Sequence, residues 1–174
     1  MKQYPEIQLR ALEPEDLELL YKIENDRSLW NVGVSNVPYS RYVLHDYIAK
    51  SAGDIYTDRQ VRLIIENNCR QTVGLLDLIN FDAAHRRAEL GIVICQEYRR
   101  QGYATAVLSE IADYALRILH LHQLYALIAV DNVACLNLFR KCGYFTATEL
   151  KEWLFDGEKF HDAVVLQIFF EKKQ

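Results

Sequence analysis

A basic turn with one glycine is the part of this sequence best suited to bind an anion. The turn, Arg99-Arg100-Gln101-Gly102, follows the apolar run of residues 90–94 and precedes a long helical pattern that begins near Ala104. Unpaired backbone N–H groups at a helix start, together with the helix dipole, favour a phosphate, and a glycine lets the backbone approach it closely. The turn lacks both the G-x-G-x-x-G of a dinucleotide fold and the Gly-Lys-Ser/Thr end of a P-loop. The sequence therefore predicts an anion site here, with an ordinary strand-to-helix turn as the alternative.

Glu89 is a charged residue inside a strand pattern, residues 88–95, that is otherwise apolar. A carboxylate in such a strand is costly unless it is paired or hydrated, which makes its presence informative. Two interpretations stay open. Glu89 either faces a cleft and takes part in chemistry, or it forms a salt bridge with Arg87 or Arg62.

The other polar residues indicate neither a metal site nor a covalent nucleophile. No histidine has metal-ligand spacing with a carboxylate or thiol, and His120 and His122 would point to different faces of a helix. No nucleophile-elbow motif is present. The cysteines show no C-x-x-C pairing, which favours reduced thiols in a cytoplasmic protein. These cysteines are Cys69, Cys95, Cys135 and Cys142.

The composition favours an ordinary globular chain. With 174 residues, 51% hydrophobic and 25% charged, it is most simply one domain, residues 1–174. We find no apolar run long enough to span a membrane and no secretory leader, so no membrane partner is expected. The formal net charge of −4 argues against nucleic-acid binding.

Hydrophobic periodicity predicts a mixed sheet flanked by helices. The order is a strand, two helices, three strands, a helix, a strand, a helix and a terminal hairpin. Asp156-Gly157 is predicted to form a two-residue hairpin turn, and residues 26–39 an irregular connection. Strands are predicted at residues 3–12, 59–66, 73–81, 88–95, 123–130, 145–155 and 158–171, and helices at about 14–25 and 40–51, after Gly102 and after Asn132.

Two motifs in this order resemble those of the GNAT superfamily of N-acetyltransferases. The pattern Arg/Gln-x-x-Gly-x-Gly/Ala, matched by Arg99, Gly102 and Ala104, resembles its acyl-CoA pyrophosphate loop. The segment from Asn132 to Gly143-Tyr144 resembles its second motif, an Asn that opens a short helix ending in Lys-x-Gly-Phe/Tyr. The segments at residues 9–17, 85–90 and 155–163 are similar to those of its spermidine/spermine and ribosomal-protein branches, so the resemblance runs in order over most of the chain.

The resemblance implies an α/β fold (an α+β mixed sheet) of about seven strands flanked by about four helices, with acetyl-CoA as cosubstrate. It also implies that the fourth and fifth strands splay apart and that a backbone N–H near Val93 stabilises the oxyanion. From its place in the fourth strand, we expect Glu89 to take the ammonium proton through water. Asn132 contacts the cofactor arm or simply caps its helix. The expected cofactor-binding residues are Ile92, Val93, Ile94, Arg99, Arg100, Gln101, Gly102, Tyr103, Ala104, Thr105, Asn132 and Lys141.

Two departures from the family pattern concern the acid and the acceptor. Phe139 stands where many relatives carry a tyrosine that protonates the leaving thiolate, and phenylalanine has no proton to give. The loop of residues 25–39, which borders the acceptor site in the family, has Asp26 as its only acid, whereas the spermidine/spermine branch carries adjacent glutamates. The general acid stays open among water and four side chains, Tyr42, Tyr103, Cys135 and Tyr144.

The expected function is direct transfer of an acetyl group from acetyl-CoA to a primary amine, with a polyamine or diamine such as spermidine as the favoured acceptor. The alternatives are acetylation of a protein N-terminus, and a catalytically weak module that binds or senses acyl-CoA. We expect no metal, no nucleic acid, a cytoplasmic location, and a homodimer or higher homo-oligomer.

Overall fold

One mixed sheet runs through the part of the chain that the computed structural model describes, residues 4–30, 37–51 and 53–170. Its seven strands lie in the order β1-β2-β3-β4-β5-β7-β6. The neighbours β4 and β5 are parallel, and the other neighbouring pairs are antiparallel. The strands are β1 Ile7–Ala11, β2 Val61–Asn67, β3 Thr72–Asp82, β4 Arg87–Ile94, β5 Gln123–Ala129, β6 Phe145–Phe155 and β7 Phe160–Phe169.

Helices cover both faces of the sheet. Helices α1 and α3 pack on one face, around the buried side chains of Leu20, Leu44 and Ile64. Helices α5 and α6 pack on the other face, where Leu108 and Phe139 are buried. The helices are α1 Leu17–Glu24, α2 Arg27–Trp30, α3 Arg41–Lys50, α4 Ile55–Asp58, α5 Tyr103–Arg117 and α6 Val133–Lys141, with 3-10 turns at Pro14–Asp16 and Gln96–Tyr98.

The fold class predicted from the sequence is confirmed, including the seven strands and the four longer helices. Three local predictions were wrong. Residues 27–30 form a helical turn inside the connection expected to be irregular, and α4 was not predicted. The terminal hairpin turns at Gly157 and Glu158, one position later than predicted, because its flanking residues pair, with Asp156 N donating to Lys159 O at 3.2 Å. The predicted strand ends at residues 3 and 171 lie outside the described residues.

The two faces of β4 carry different chemistry. Ala88 and Leu90 are buried against α5 and α6. Val93 pairs with Leu75, which packs toward α1 and α3, and opposite residues of a ladder share a face. Because side chains alternate along a strand, Glu89 projects toward the α1 and α3 side of the sheet.

Candidate active site

The sheet contains a gap between its two parallel strands. β4 and β5 pair from Arg87 to Glu89 and then stop, although β4 continues to Ile94 and β5 to Ala129. The outer edge of each strand stays paired, with β3 on one side and with β7 on the other. The predicted splay is therefore present. It leaves two facing edges whose backbone groups are available to an extended, amide-bearing ligand.

The hydrogen bonds between β3 and β4 show which amides of β4 face the gap. Cys95 N donates to Val73 O at 2.9 Å, and successive residues of a ladder alternate between its two sides. The N–H of Val93 is therefore directed at β3, while those of Ile92 and Ile94 are directed into the gap. The amides near Val93 that are available in the gap are therefore those of Ile92 and Ile94, and the role of such an amide as oxyanion donor stays a prediction.

The basic turn forms an anion cradle at the open end of the gap. Arg100 and Gly102 both have positive φ, 62° and 93°, and α5 begins directly after them. Among the described residues, the backbone N–H groups of residues 100–105 have no hydrogen-bond acceptor, and the first helical bond is from Ala106 N to Gly102 O, 3.1 Å. Consecutive unpaired amides at the positive end of a 15-residue helix suit a phosphate.

Side chains from within the turn hold this cradle in shape. Arg99 Nε donates to Ile94 O at 2.9 Å, and Gln101 Nε2 donates to Glu97 O at 2.8 Å. Arg99 is thus anchored to the end of β4, and Arg100 is exposed without an ion-pair partner in the described part of the chain. Arg100 is the cation of this turn that is available to a ligand.

Glu89 lies at the closed end of the gap, half-buried, in the last residue pair before the strands separate. Its Oε2 accepts a hydrogen bond from Asn80 Nδ2 at 2.8 Å. The paired residue on β5 is Tyr125. Burial, and then the negative charge of Glu89, raise the pKa of Tyr125, so this phenol stays protonated at neutral pH. Sequence reasoning missed both neighbours of Glu89.

The salt-bridge interpretation of Glu89 was wrong. Arg62 instead forms a two-bond contact with Asp77, at 2.7 and 2.9 Å, and a further contact with Glu24 at 2.5 Å. Arg87 Nη2 lies 3.4 Å from Asp82 Oδ2. Within the described residues Glu89 has no cationic partner, so its carboxylate is available to accept a proton.

The expected acid position on α6 carries a buried phenylalanine. Phe139 is 1% exposed and packs edge-to-face on Tyr144, with ring centroids 4.9 Å apart. Tyr144 is also buried, which raises its pKa, and its hydroxyl has no partner among the described residues. Burial raises the pKa of Cys135 to about 11, so this thiol is protonated and is not a nucleophile at neutral pH.

Asn132 is the N-cap of α6, since its Oδ1 accepts a hydrogen bond from Cys135 N at 3.2 Å. The capping interpretation is thus confirmed, and its contact with the cofactor arm stays a prediction. At the other end of α6, Lys141 is exposed.

The expected acceptor loop is closed at its base by one amide side chain. Asn25 Nδ2 donates to Tyr39 O at 3.0 Å, and Asn25 Oδ1 accepts from Tyr39 N at 2.9 Å. Residues 31–36 of this loop lie outside the described residues. The ends of the loop are therefore fixed beside α1, on the face of the sheet that also carries Glu89.

Comparison with known proteins decides the family. The model of the GNAT acetyltransferase domain matches residues 6–144. This chain belongs to the GNAT acetyltransferase family. The resemblance found in the sequence is confirmed, and so is the activity class of an acetyl-CoA-dependent N-acetyltransferase.

One similar protein and two similar solved structures come from Vibrio cholerae. A spermidine N(1)-acetyltransferase is 29% identical over 168 residues, 96% of this chain and 95% of the relative. A spermidine N-acetyltransferase solved with CoA and spermine superposes with a TM-score of 0.85 at 29% identity, covering 94% of this chain and 95% of that one. A dodecameric structure of spermidine N-acetyltransferase superposes with a TM-score of 0.78 at 28% identity, covering 94% and 93%.

Two kinds of feature are absent from the described residues. None of their helices is long and apolar enough to cross a membrane. Nor do they contain a group of three or more His, Cys, Asp or Glu side chains that could hold a metal ion.

Proposed function

We propose that this enzyme acetylates a primary amino group of a polyamine such as spermidine. The observation that carries the proposal is the gap between β4 and β5. It has an amide cradle at one end and, at the other, the carboxylate of Glu89, which has no cationic partner among the described residues. Spermidine N(1)-acetyltransferases are 29–30% identical to this chain, against 27% for a putative ribosomal N-acetyltransferase, which favours a polyamine over a protein N-terminus.

The donor end of the site is built for acetyl-CoA. The amides of residues 100–105, together with Arg100, bind the pyrophosphate, and the β4 edge at residues 92–94 binds the amides of the pantetheine arm. Asn132 contacts this arm from the start of α6. The N–H of Ile92 lies in the gap, where it can donate to the oxygen on which negative charge develops during transfer.

Glu89 and its neighbours handle the acceptor proton. An alkylammonium group with a pKa of about 10 must lose one proton before its nitrogen can attack, and Glu89 accepts this proton through water and passes it to solvent. The C–N bond then forms and the C–S bond breaks. A second proton leaves the nitrogen as the intermediate collapses and reaches the CoA sulfur through water, because Phe139 cannot donate one.

The test is release of free CoA thiol, measured with acetyl-CoA and a panel of spermidine, spermine, amino acids and short peptides. We expect spermidine to be acetylated at least about tenfold more efficiently than the peptides. Glu89→Gln should lower kcat/KM by about 10² and leave CoA affinity unchanged. Glu110→Gln, at an exposed position on α5, is the matched control.

Other outcomes would overturn the proposal in different ways. Preferential acetylation of peptide N-termini would indicate a ribosomal-protein type of activity. Tight CoA binding without thiol release for any amine would indicate a sensing module. Full activity of Glu89→Gln would remove Glu89 from the mechanism while leaving the acceptor assignment standing.

We also infer that the chain forms a homo-oligomer in the cytoplasm. β6 is an edge strand of the described sheet, and its hairpin exposes aromatic rings, with Trp153 57%, Phe155 52% and Phe160 60% exposed. Exposed edges and aromatic patches are typical of interfaces, and a relative has been solved as a dodecamer. Light scattering should show an assembly that Phe160→Glu dissociates, and a monomeric wild type would contradict the inference. The cytoplasmic location is supported by the four free cysteines.

A further inference from the structure

The N-terminal segment lies against the anion cradle. A Cβ atom placed on Gly102 would lie 3.2 Å from Pro5 Cδ and 3.4 Å from Tyr4 Cδ1. The ring of Tyr4 therefore packs beside the backbone of the turn and remains 38% exposed. The segment that precedes β1 thus adds an aromatic wall to a site otherwise built from β4, α5 and α6.

The ammonium group of Lys141 lies beside the ring of Tyr4. Its Nζ lies 5.9 Å from the centroid of the Tyr4 ring, within the range of a cation–π contact. In the described part of the chain Lys141 has no carboxylate partner, whereas Lys50 has one and Lys151 has two. An unpaired cation beside a cradle of unpaired amides indicates that the anionic ligand extends beyond the cradle.

The chemical structure of CoA identifies the anionic group that would lie beside Lys141. Its pyrophosphate accounts for the amides of residues 100–105, and a third phosphate group remains on the 3′ position of its ribose. A phosphate monoester of this kind carries about −1.5 to −2 charges at neutral pH. It is the strongest anion of the ligand outside the pyrophosphate.

We propose that Lys141, positioned by the ring of Tyr4, binds the 3′-phosphate of acetyl-CoA. The assignment depends on acetyl-CoA being the cosubstrate, and it adds recognition of the nucleotide end to that activity. Lys141 supplies the charge. Tyr4 contacts both the cradle and the ammonium group, and so keeps the two phosphate sites at a fixed separation.

Calorimetric titration with CoA and with 3′-dephospho-CoA tests Lys141 without any need for turnover. Lys141→Ala should weaken CoA binding by about tenfold, since one charge-assisted contact is lost at an exposed site. It should leave 3′-dephospho-CoA affinity within about twofold of the wild type. Arg140→Ala, which changes the exposed neighbouring cation on the same helix, should alter neither affinity. Equal losses for both ligands, or no loss for CoA, would overturn the proposal.

Conservative changes at Tyr4 test its positioning role. Tyr4→Phe keeps the ring face and should keep the preference for CoA over 3′-dephospho-CoA. Tyr4→Leu removes the face and should reduce that preference by about threefold to tenfold. If the two variants show the same preference, the ring does not position Lys141. A wild type that binds neither ligand would instead refute the acetyl-CoA activity itself, so the two failures are distinguishable.

Discussion

Gly102 is the residue whose replacement tests the cradle most directly. Its φ of 93° and ψ of −5° lie in the left-handed region, where a residue with a Cβ atom costs about 1–2 kcal/mol. The added Cβ would also lie 3.2 Å from Pro5 and 3.4 Å from Tyr4, so it would point toward the N-terminal segment and not into the open cradle. Gly102→Ala should therefore act by distorting the turn, and not by occupying the space for phosphate.

Gly157 provides a matched control for this strain. It has a similar φ of 99°, it lies in the terminal hairpin, and a Cβ atom added to it would have nothing within 4 Å. Both alanine variants should lower Tm by about 2–8 °C, because about 1–2 kcal/mol corresponds to that shift in a chain of this size. Only Gly102→Ala should weaken CoA binding, by about tenfold. This corresponds to about 1.4 kcal/mol of binding free energy, which is the cost of returning the turn to its wild-type conformation.

Differential scanning fluorimetry and calorimetric titration measure the two effects in the same samples. If Gly102→Ala lost stability like Gly157→Ala but kept wild-type CoA affinity, the amides of the turn could not be what holds the pyrophosphate. If Gly157→Ala lost affinity as well, the effect would come from general destabilisation and the comparison would refute our reasoning.

Two further predictions concern the framework of the site. Gly74→Ala should lower the free energy of unfolding by about 2–3 kcal/mol, because the added Cβ would lie 2.1 Å from the carbonyl oxygen of Val93. Gly91→Ala should cost much less, since the nearest atom to its added Cβ is 3.8 Å away. Urea unfolding of the two variants compares these costs. Burial alone would raise the pKa of Asp16, yet hydrogen bonds from Arg10 and a backbone amide hold it below its usual value. The stabilisation that the ionised Asp16 carboxylate provides is therefore complete above the pKa of about 3.9 that Asp16 has in the unfolded chain. It is lost as the pH falls through the lower pKa that Asp16 has in the folded chain. Asp16→Asn should cost about 2 kcal/mol at pH 7 and progressively less below about pH 4; an equal cost at pH 2 and pH 7 would contradict this assignment.

The order of helices and strands along the chain and the position of the cradle could be predicted because both depend on patterns along the chain. Continuous apolar runs gave β4 and β5 as central strands, and the glycine before the α5 pattern gave the turn. Helix α4 was not predicted because four residues carry too little periodicity, although Asp54 caps it by accepting from Tyr56 N at 3.0 Å. The one-domain organisation stays a prediction.

The partners of Glu89 could not be predicted because they depend on register. Asn80 reaches Glu89 at the irregularity in the β3–β4 ladder between residues 79 and 82, and Tyr125 does so through a parallel pairing whose register the sequence does not specify. The contact of Tyr4 with the cradle likewise joins residues nearly a hundred positions apart. The one available signal was an aromatic residue directly before Pro5.

The gap between β4 and β5 also bears on how much of this protein a cell retains. A sheet that lacks hydrogen bonds along two central edges opens more easily until a ligand supplies them, and any ligand that binds only the folded chain stabilises it by RT ln(1 + [L]/Kd). At a ligand concentration a hundredfold above Kd this amounts to about 2.7 kcal/mol. Unfolded chains are degraded in proportion to their population, so we expect turnover of this protein to quicken when acetyl-CoA and CoA are scarce. The same break in the sheet that admits the acetyl donor would then make the lifetime of the enzyme depend on how much of it has the donor bound.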